Sequence, residues 1–167
     1  FDDGVKLRSS GTLTKSTVEI GHSSPATSTL VGHQSVSIGE DSYAQAQSVA
    51  IGYGTNTTNA HASSTSVGYR AGFNSQDTYG TAVGVTSGYE YQGDSATSMG
   101  REAGYSYQGD FATSIGAYAG HTSQGISSVA IGRDAGYSGQ DTNSVSIGKC
   151  AGKYNQGKES IAIGLCS

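Results

Sequence analysis

Glycine returns every sixteen residues along most of this chain, at Gly52, Gly68, Gly84, Gly100, Gly116, Gly132, Gly148 and Gly164. Each glycine closes a short block such as Ser48-Val49-Ala50-Ile51-Gly52 or Ser160-Ile161-Ala162-Ile163-Gly164, and a shorter spacing leads back to a ninth block, Ser35-Val36-Ser37-Ile38-Gly39. Self-similarity at a short fixed period is the mark of a solenoid, whose repeats bury their surfaces against one another rather than alone. Such a chain has few inserted loops from which to build a cleft. The 26 glycines do not fall at every third position, which excludes collagen. Apolar residues at fixed places in each repeat argue against disorder. Only 13% of residues are charged, the net charge is −4 and no Lys/Arg cluster exists, so nucleic acid is not an expected partner. No apolar run approaches the length of a bilayer, so membrane insertion is not expected either. The first residue is Phe1 rather than Met, which suggests a processed product or a segment of a longer chain.

Three residues before the block glycines stand Val36, Val49, Thr65, Thr81, Thr97, Thr113, Val129, Val145 and Ile161, all β-branched. One residue before them stand Ile38, Ile51, Val67, Val83, Met99, Ile115, Ile131, Ile147 and Ile163. Side chains alternate across a strand, so these two columns share one face. The other face holds Ser37, Ala50, Ser66, Ala82, Ser98, Ser114, Ala130, Ser146 and Ala162, preceded two residues earlier by Ser, Ala or Gly. The blocks therefore read as strands with no charge on either face, the pattern of a strand covered on both sides. A sixteen-residue coil has only one inside, so the second face is expected to meet another chain. The alternation does not say which face is which. The Thr residues stand in for Val in a column read as buried, which weighs against an ice-binding Thr ladder.

The second half of each repeat is as regular. Four residues after Gly68, Gly84, Gly100, Gly116, Gly132 and Gly148 comes a second glycine, and eight residues after them comes Gln76, Gln92, Gln108, Gln124, Gln140 and Gln156. This predicts a glycine turn, a second short strand and a Gln-containing turn, with glycine supplying the positive φ of tight corners. The glutamines are expected to be a structural ladder, stacked amides bonding from coil to coil or satisfying turn backbone. Residues 1–34 are less regular. Thr17-Val18-Glu19-Ile20-Gly21 resembles a degenerate block, with Glu19 at an otherwise small position and Leu30 bulky in the next. The expected organisation is an N-terminal cap, adaptor or joining segment over 1–34 and a β-solenoid repeat region over 35–167. The ladder reaches Gly164 with no C-terminal cap, which suggests that the parent chain continues or another subunit stacks there.

The period also aligns side chains that carry chemistry. Cys150 and Cys166 share a column, so neighbouring strands about 4.8 Å apart bring them within disulfide range; the alternative is two stacked free thiols. Asp94 and Asp110 stack after Gln-Gly turns and are a weak Ca²⁺ candidate, since such a site needs six or more oxygens. No metal site or cofactor is otherwise expected, because His22, His33, His61 and His121 show no ligand spacing and read as scattered surface or turn residues. No P-loop, nucleophile elbow or Cys-His pair is present, so an enzyme is not expected. Phe73, Tyr89, Tyr105 and Tyr137 share one column and Tyr91 and Tyr107 another. Stacked rings stabilise a rod, and they also offer a strip suited to a glycan or partner surface. Asn56-Thr57-Thr58 is an N-glycosylation sequon, relevant in a glycosylating source.

The blocks Ser48–Gly52, Ser128–Gly132 and Ser160–Gly164 resemble the head repeats of YadA-like trimeric autotransporter adhesins. The longer unit Ser128–Asn143, with its Ile-Gly-x-x-Ala-Gly core, is similar to repeats in fibre proteins of bacteriophages and large viruses. The resemblance covers roughly Ser35 to Gly164. It implies a left-handed parallel β-roll assembled as a homotrimer, in an extracellular adhesin or a virion fibre. The sixteen-residue period and the Ala-Gly…Gln-Gly half depart from the adhesin pattern. The expected function is thus a structural element of an extracellular or virion fibre, self-associating as a trimer or end-to-end polymer. The alternative is an adhesin or receptor-binding head that uses the aromatic columns.

Overall fold

The computed structural model describes residues 6–9, 16–20, 34–56 and 60–167. Among these the protein is all-β, a parallel β-solenoid of about eight turns. One long sheet has eleven strands. It begins with β1 (Lys6–Ser9), β2 (Ser16–Ile20), β3 (Ser35–Ile38), β4 (Val49–Ile51) and β5 (Thr65–Val67). It continues through β7 (Thr81–Val83), β9 (Thr97–Met99), β11 (Thr113–Ile115), β13 (Val129–Ile131), β15 (Val145–Ile147) and β16 (Ile161–Ile163). A second, five-stranded sheet consists of β6 (Asn74–Gln76), β8 (Glu90–Gln92), β10 (Ser106–Gln108), β12 (Thr122–Gln124) and β14 (Ser138–Gln140). Every pair from β2 onward is parallel and in register with the repeat: Thr97 lies opposite Thr113, and Gln108 opposite Gln124.

The long sheet does not stop at residue 35. β2 pairs in parallel with β3, Val18 opposite Val36 and Ile20 opposite Ile38, so the degenerate block joins the column in register. β1 returns antiparallel against β2. Leu30, His22 and His33 lie outside the described residues.

The structure settles which face is inside, by packing small residues there. Ala50, Ala82, Ala119, Ala130, Ser66, Ser98 and Ser114 are fully buried. The β-branched columns point outward: Val49, Thr65, Thr81, Thr97 and Val129 are half-buried, while Met99, Ile115 and Ile147 are exposed. The Thr column is therefore not buried within the coil, and the sequence-based reason for setting aside a Thr ladder does not hold for the isolated chain. The cause is the narrowness of the coil. The space between the sheets is filled by Ala, Ser, glycine backbone and the Gln amides, leaving no room for a Val or Ile side chain.

Glycine at the block end is forced by two constraints. Gly100 has φ 134°, a conformation L residues avoid. A Cβ there would lie 2.7 Å from the carbonyl oxygen of Gly116 in the next coil. Other corners use the left-handed region without glycine. Tyr91, Tyr107 and Ser123 (φ 52°, 57° and 56°), Phe111 (59°) and Tyr118 (61°) occupy it at repeating positions. Sequence reasoning missed these corners because it looked for glycine. A left-handed L residue costs about 1–2 kcal/mol, and inter-coil hydrogen bonds offset this, as in Phe111 N–H to Asp94 O (2.8 Å) and Tyr118 N–H to Arg101 O (2.9 Å).

Candidate functional site

The glutamine column runs through the interior. Gln76, Gln92, Gln108, Gln124, Gln140 and Gln156 are all buried. Gln108 Nε2 donates to Gln124 Oε1 at 3.1 Å, and Gln124 Nε2 to Gln140 Oε1 at 3.3 Å. Each amide also ties the two sheets together: Gln108 Nε2 donates to Thr97 O at 3.0 Å while Gln108 Oε1 accepts from Ser98 Oγ at 2.6 Å. Ser66 and Gln76, and Ser146 and Gln156, repeat that pairing. The second glycine of each repeat makes room for the amide: a Cβ on Gly104 would lie 2.8 Å from Gln108 Oε1.

Two departures from the column explain themselves. Ala60 stands where a Gln would, and Asn56 fills the gap from the glycine position with φ 52°. Its Oδ1 accepts from Ser66 Oγ at 2.8 Å and its Nδ2 donates to Ser64 Oγ at 3.3 Å. Asn56 is only 3% exposed, so in the folded coil its amide serves the interior rather than the surface. Thr57 and Thr58 lie outside the described residues. The second departure is Gln92, whose Oε1 is buried without a partner. Ala82 occupies the position from which Ser98 and Ser114 donate to Gln108 and Gln124. Ala82→Ser is therefore expected to stabilise the protein by about 1 kcal/mol, the net value of one internal hydrogen bond. A chemical denaturation curve reads it, and a destabilised Ala82→Ser would refute this account of Gln92.

The outer aromatics form continuous stacks. Phe73–Tyr89, Tyr89–Tyr105 and Tyr105–His121 have ring centroids 5.0 Å apart, and His121–Tyr137 are 4.8 Å apart, all with planes within 8° of parallel. Arg70 sits 5.2 Å from the Phe73 ring and Lys153 5.5 Å from the Tyr137 ring, so a cation closes each end of the stack. Burial, then the nearby Tyr89, Glu90 and Glu102, pushes the Tyr105 phenol above its ordinary pKa. His121 was read as a scattered histidine. It is the fourth ring of the stack, its Nε2 3.2 Å from Glu102 Oε2 and its Nδ1 2.9 Å from Thr122 Oγ1. Its column position was the signal. Sequence reasoning also missed the Tyr53–Tyr69 stack at 5.5 Å and Arg101 over Tyr118 at 4.7 Å. Tyr91 and Tyr107 form a separate outer stack, centroids 5.0 Å apart.

Cys150 and Cys166 are free thiols here. Desolvation, then a hydrogen bond donated by the Cys150 thiol to the Cys166 sulfur, raises the Cys150 pKa. Asp94 and Asp110 do meet, but Asp110 Oδ1 accepts the Asp94 N–H at 3.0 Å, and no third His, Cys, Asp or Glu joins them among the described residues. His61 pairs with Asp77 at the surface, Nδ1 to Oδ1 2.6 Å. The Thr78 backbone N–H holds Asp77 below the usual carboxylate range; desolvation opposes it, and the His61 contact adds to the lowering. Among the described residues no helix is long and apolar enough to cross a membrane. The features that stand out are therefore two surfaces, the uncharged outer face of the long sheet and the tyrosine-bearing outer face of the short one. No family model, curated protein or solved structure matches the chain.

Proposed function

We propose that this chain is a structural element of an extracellular or virion fibre, an elongated β-solenoid that packs against copies of itself through the outer face of its long sheet. The supporting observation is the outward direction of the β-branched columns. From Val36 to Ile163 that face carries Val, Thr, Ile and Met with no charged residue. A parallel sheet normally has both faces covered, and a long contiguous apolar patch marks an interaction site. The interior of the coil is already filled, so the cover has to come from outside it. A homotrimer of the kind implied by the YadA-like blocks brings three such faces together around one axis. Each coil adds about 4.8 Å, so the regular coils supply roughly 40 Å of reach. On this reading the protein is extracellular or on a virion surface, its partner is itself, and it works without enzymatic activity, cofactor, nucleic acid or membrane insertion.

Light scattering tests the proposal. The chain is expected at about three times its 16.9 kDa mass. Val83→Lys combined with Ile115→Lys is expected to reduce it to monomer, because an unpaired charge in an apolar interface costs several kcal/mol. A monomeric wild-type chain at micromolar concentration would refute self-association.

The exposed rings favour a second reading, an adhesin or receptor-binding head that uses its aromatic columns. Tyr91 and Tyr107 are solvent-facing on the short sheet, away from the proposed interface between copies. Rings that are both exposed and rigid present contact area at little entropic cost.

A further inference from the structure

The Tyr91–Tyr107 stack ends abruptly. The register of β10, β12 and β14 carries its column onward to Ser123 and then Gly139. Asn155 follows, with its N–H donating to Ser138 O at 2.9 Å. One face of the Tyr107 ring is covered by Tyr91 at 5.0 Å. Beyond its other face, two successive coils offer no ring. The result is an open groove of about 500 Å³, lined among others by Tyr107, Ser123, Gly139, Asp141 and Asn155. Asn155 Oδ1 leans over the groove floor, 2.9 Å from where a Cβ on Gly139 would stand. Asp141 is exposed at the rim, with Oδ1 accepting the Thr142 N–H at 2.7 Å.

We propose that this groove binds a neutral sugar ring, stacked on the free face of Tyr107 in the place of the next ring of the ladder. Its volume falls in the range of small-molecule sites. The face of a tyrosine ring carries negative charge density, which suits the slightly positive C–H face of a pyranose. The Asn155 amide oxygen, the Asp141 carboxylate and the Ser123 hydroxyl are acceptors for the hydroxyls around a sugar's edge. No Lys, Arg or His lines the groove, and the rim carries a carboxylate. That leaves nothing to pair with a phosphate, sulfate or sialic acid and something to repel them. This inference rests on the adhesive reading and is independent of how copies pack.

The test is a glycan array carrying neutral, sialylated and sulfated oligosaccharides, followed by saturation-transfer NMR with the neutral ones that bind. The wild-type chain is expected to bind neutral glycans in preference to anionic ones. Ser123→Tyr extends the chain's own ladder into the vacant position. It is expected to fold, because Tyr91 and Tyr107 hold φ of 52° and 57° at that place and Ser123 already has 56°. Both Ser123→Tyr and Tyr107→Ser are expected to weaken binding roughly tenfold or more, the loss of an aromatic stacking contact. Binding retained by Ser123→Tyr with an unchanged melting curve overturns the groove and leaves the adhesive reading standing. A preference for anionic glycans overturns the neutral-sugar assignment. A wild-type chain that binds neither the array nor host cells removes both readings.

Discussion

Gly100→Ala is expected to cost roughly 2–6 kcal/mol and to lower the melting temperature by many degrees. Two effects add. The backbone at Gly100 has φ 134°, and holding an L residue in a glycine-only region costs of order 1–3 kcal/mol. The new methyl group would also lie 2.7 Å from Gly116 O and 2.8 Å from Gly116 C. Such overpacking costs a further roughly 1–3 kcal/mol. Gly116 cannot step aside cheaply, because its own N–H is bonded to Met99 O at 2.8 Å and a Cβ on it would meet Gly132. A shift would have to pass up the whole column. Domains are stable by only about 5–15 kcal/mol, so the loss is a large share of the total. Gly157→Ala is the control. Gly157 has no atom within 4 Å of its Cβ position, and its φ is not in the left-handed range. It is expected to change stability by less than about 0.5 kcal/mol. Thermal unfolding by circular dichroism at matched protein concentration separates the two. Equal melting temperatures would refute the steric account of the glycine column.

Gln108→Leu is expected to be comparably damaging, by about 3 kcal/mol or more. The two N–H groups of Gln108 Nε2 are shared among Thr97 O, Ala112 O, Ser114 Oγ and Gln124 Oε1, and its Oε1 accepts from Ser98 Oγ, all inside the coil. Leu has similar bulk and none of these bonds. Each buried polar group left unsatisfied costs about 1–3 kcal/mol, and partial loss of a network is worse than its pairwise sum. Ser123→Ala, on an exposed position of the neighbouring strand, is the matched control. Urea unfolding reads both. A Gln108→Leu chain as stable as wild type would mean that the column fills space without holding the sheets together.

Much of the fold was legible in the sequence because a solenoid writes one local solution many times. The block strand and a second short strand were expected from the glycine and glutamine columns; the structure pairs Thr97–Met99 and Ser106–Gln108 in parallel with their counterparts a repeat away, with Gln108 ending the strand rather than sitting in the turn after it. The candidate surface was only partly legible. The Phe73, Tyr89, Tyr105 and Tyr137 column was visible as a repeat position. His121 was passed over because it was judged as a possible metal ligand rather than by the flat ring it shares with its column. Asn56 was judged by a three-residue motif, although its chemistry is set by Ala60, the absent glutamine of its own coil. The groove beside Tyr107 was invisible as a motif because it consists of side chains that are missing at Ser123 and Gly139.

The sequence by itself determined the period, the parallel coil and which residues share a face, since these follow from backbone alternation and from glycine's freedom at fixed positions. Only the tertiary structure decided the direction of each face. Alternation is symmetric between inside and outside, and hydrophobicity would have placed Val, Ile and Thr within. What breaks the symmetry is the width of the coil, set across the two sheets by the Ser98–Gln108 contact and the glycine that makes room for it. That width admits alanine, serine and one stacked amide, and it turns the β-branched columns outward.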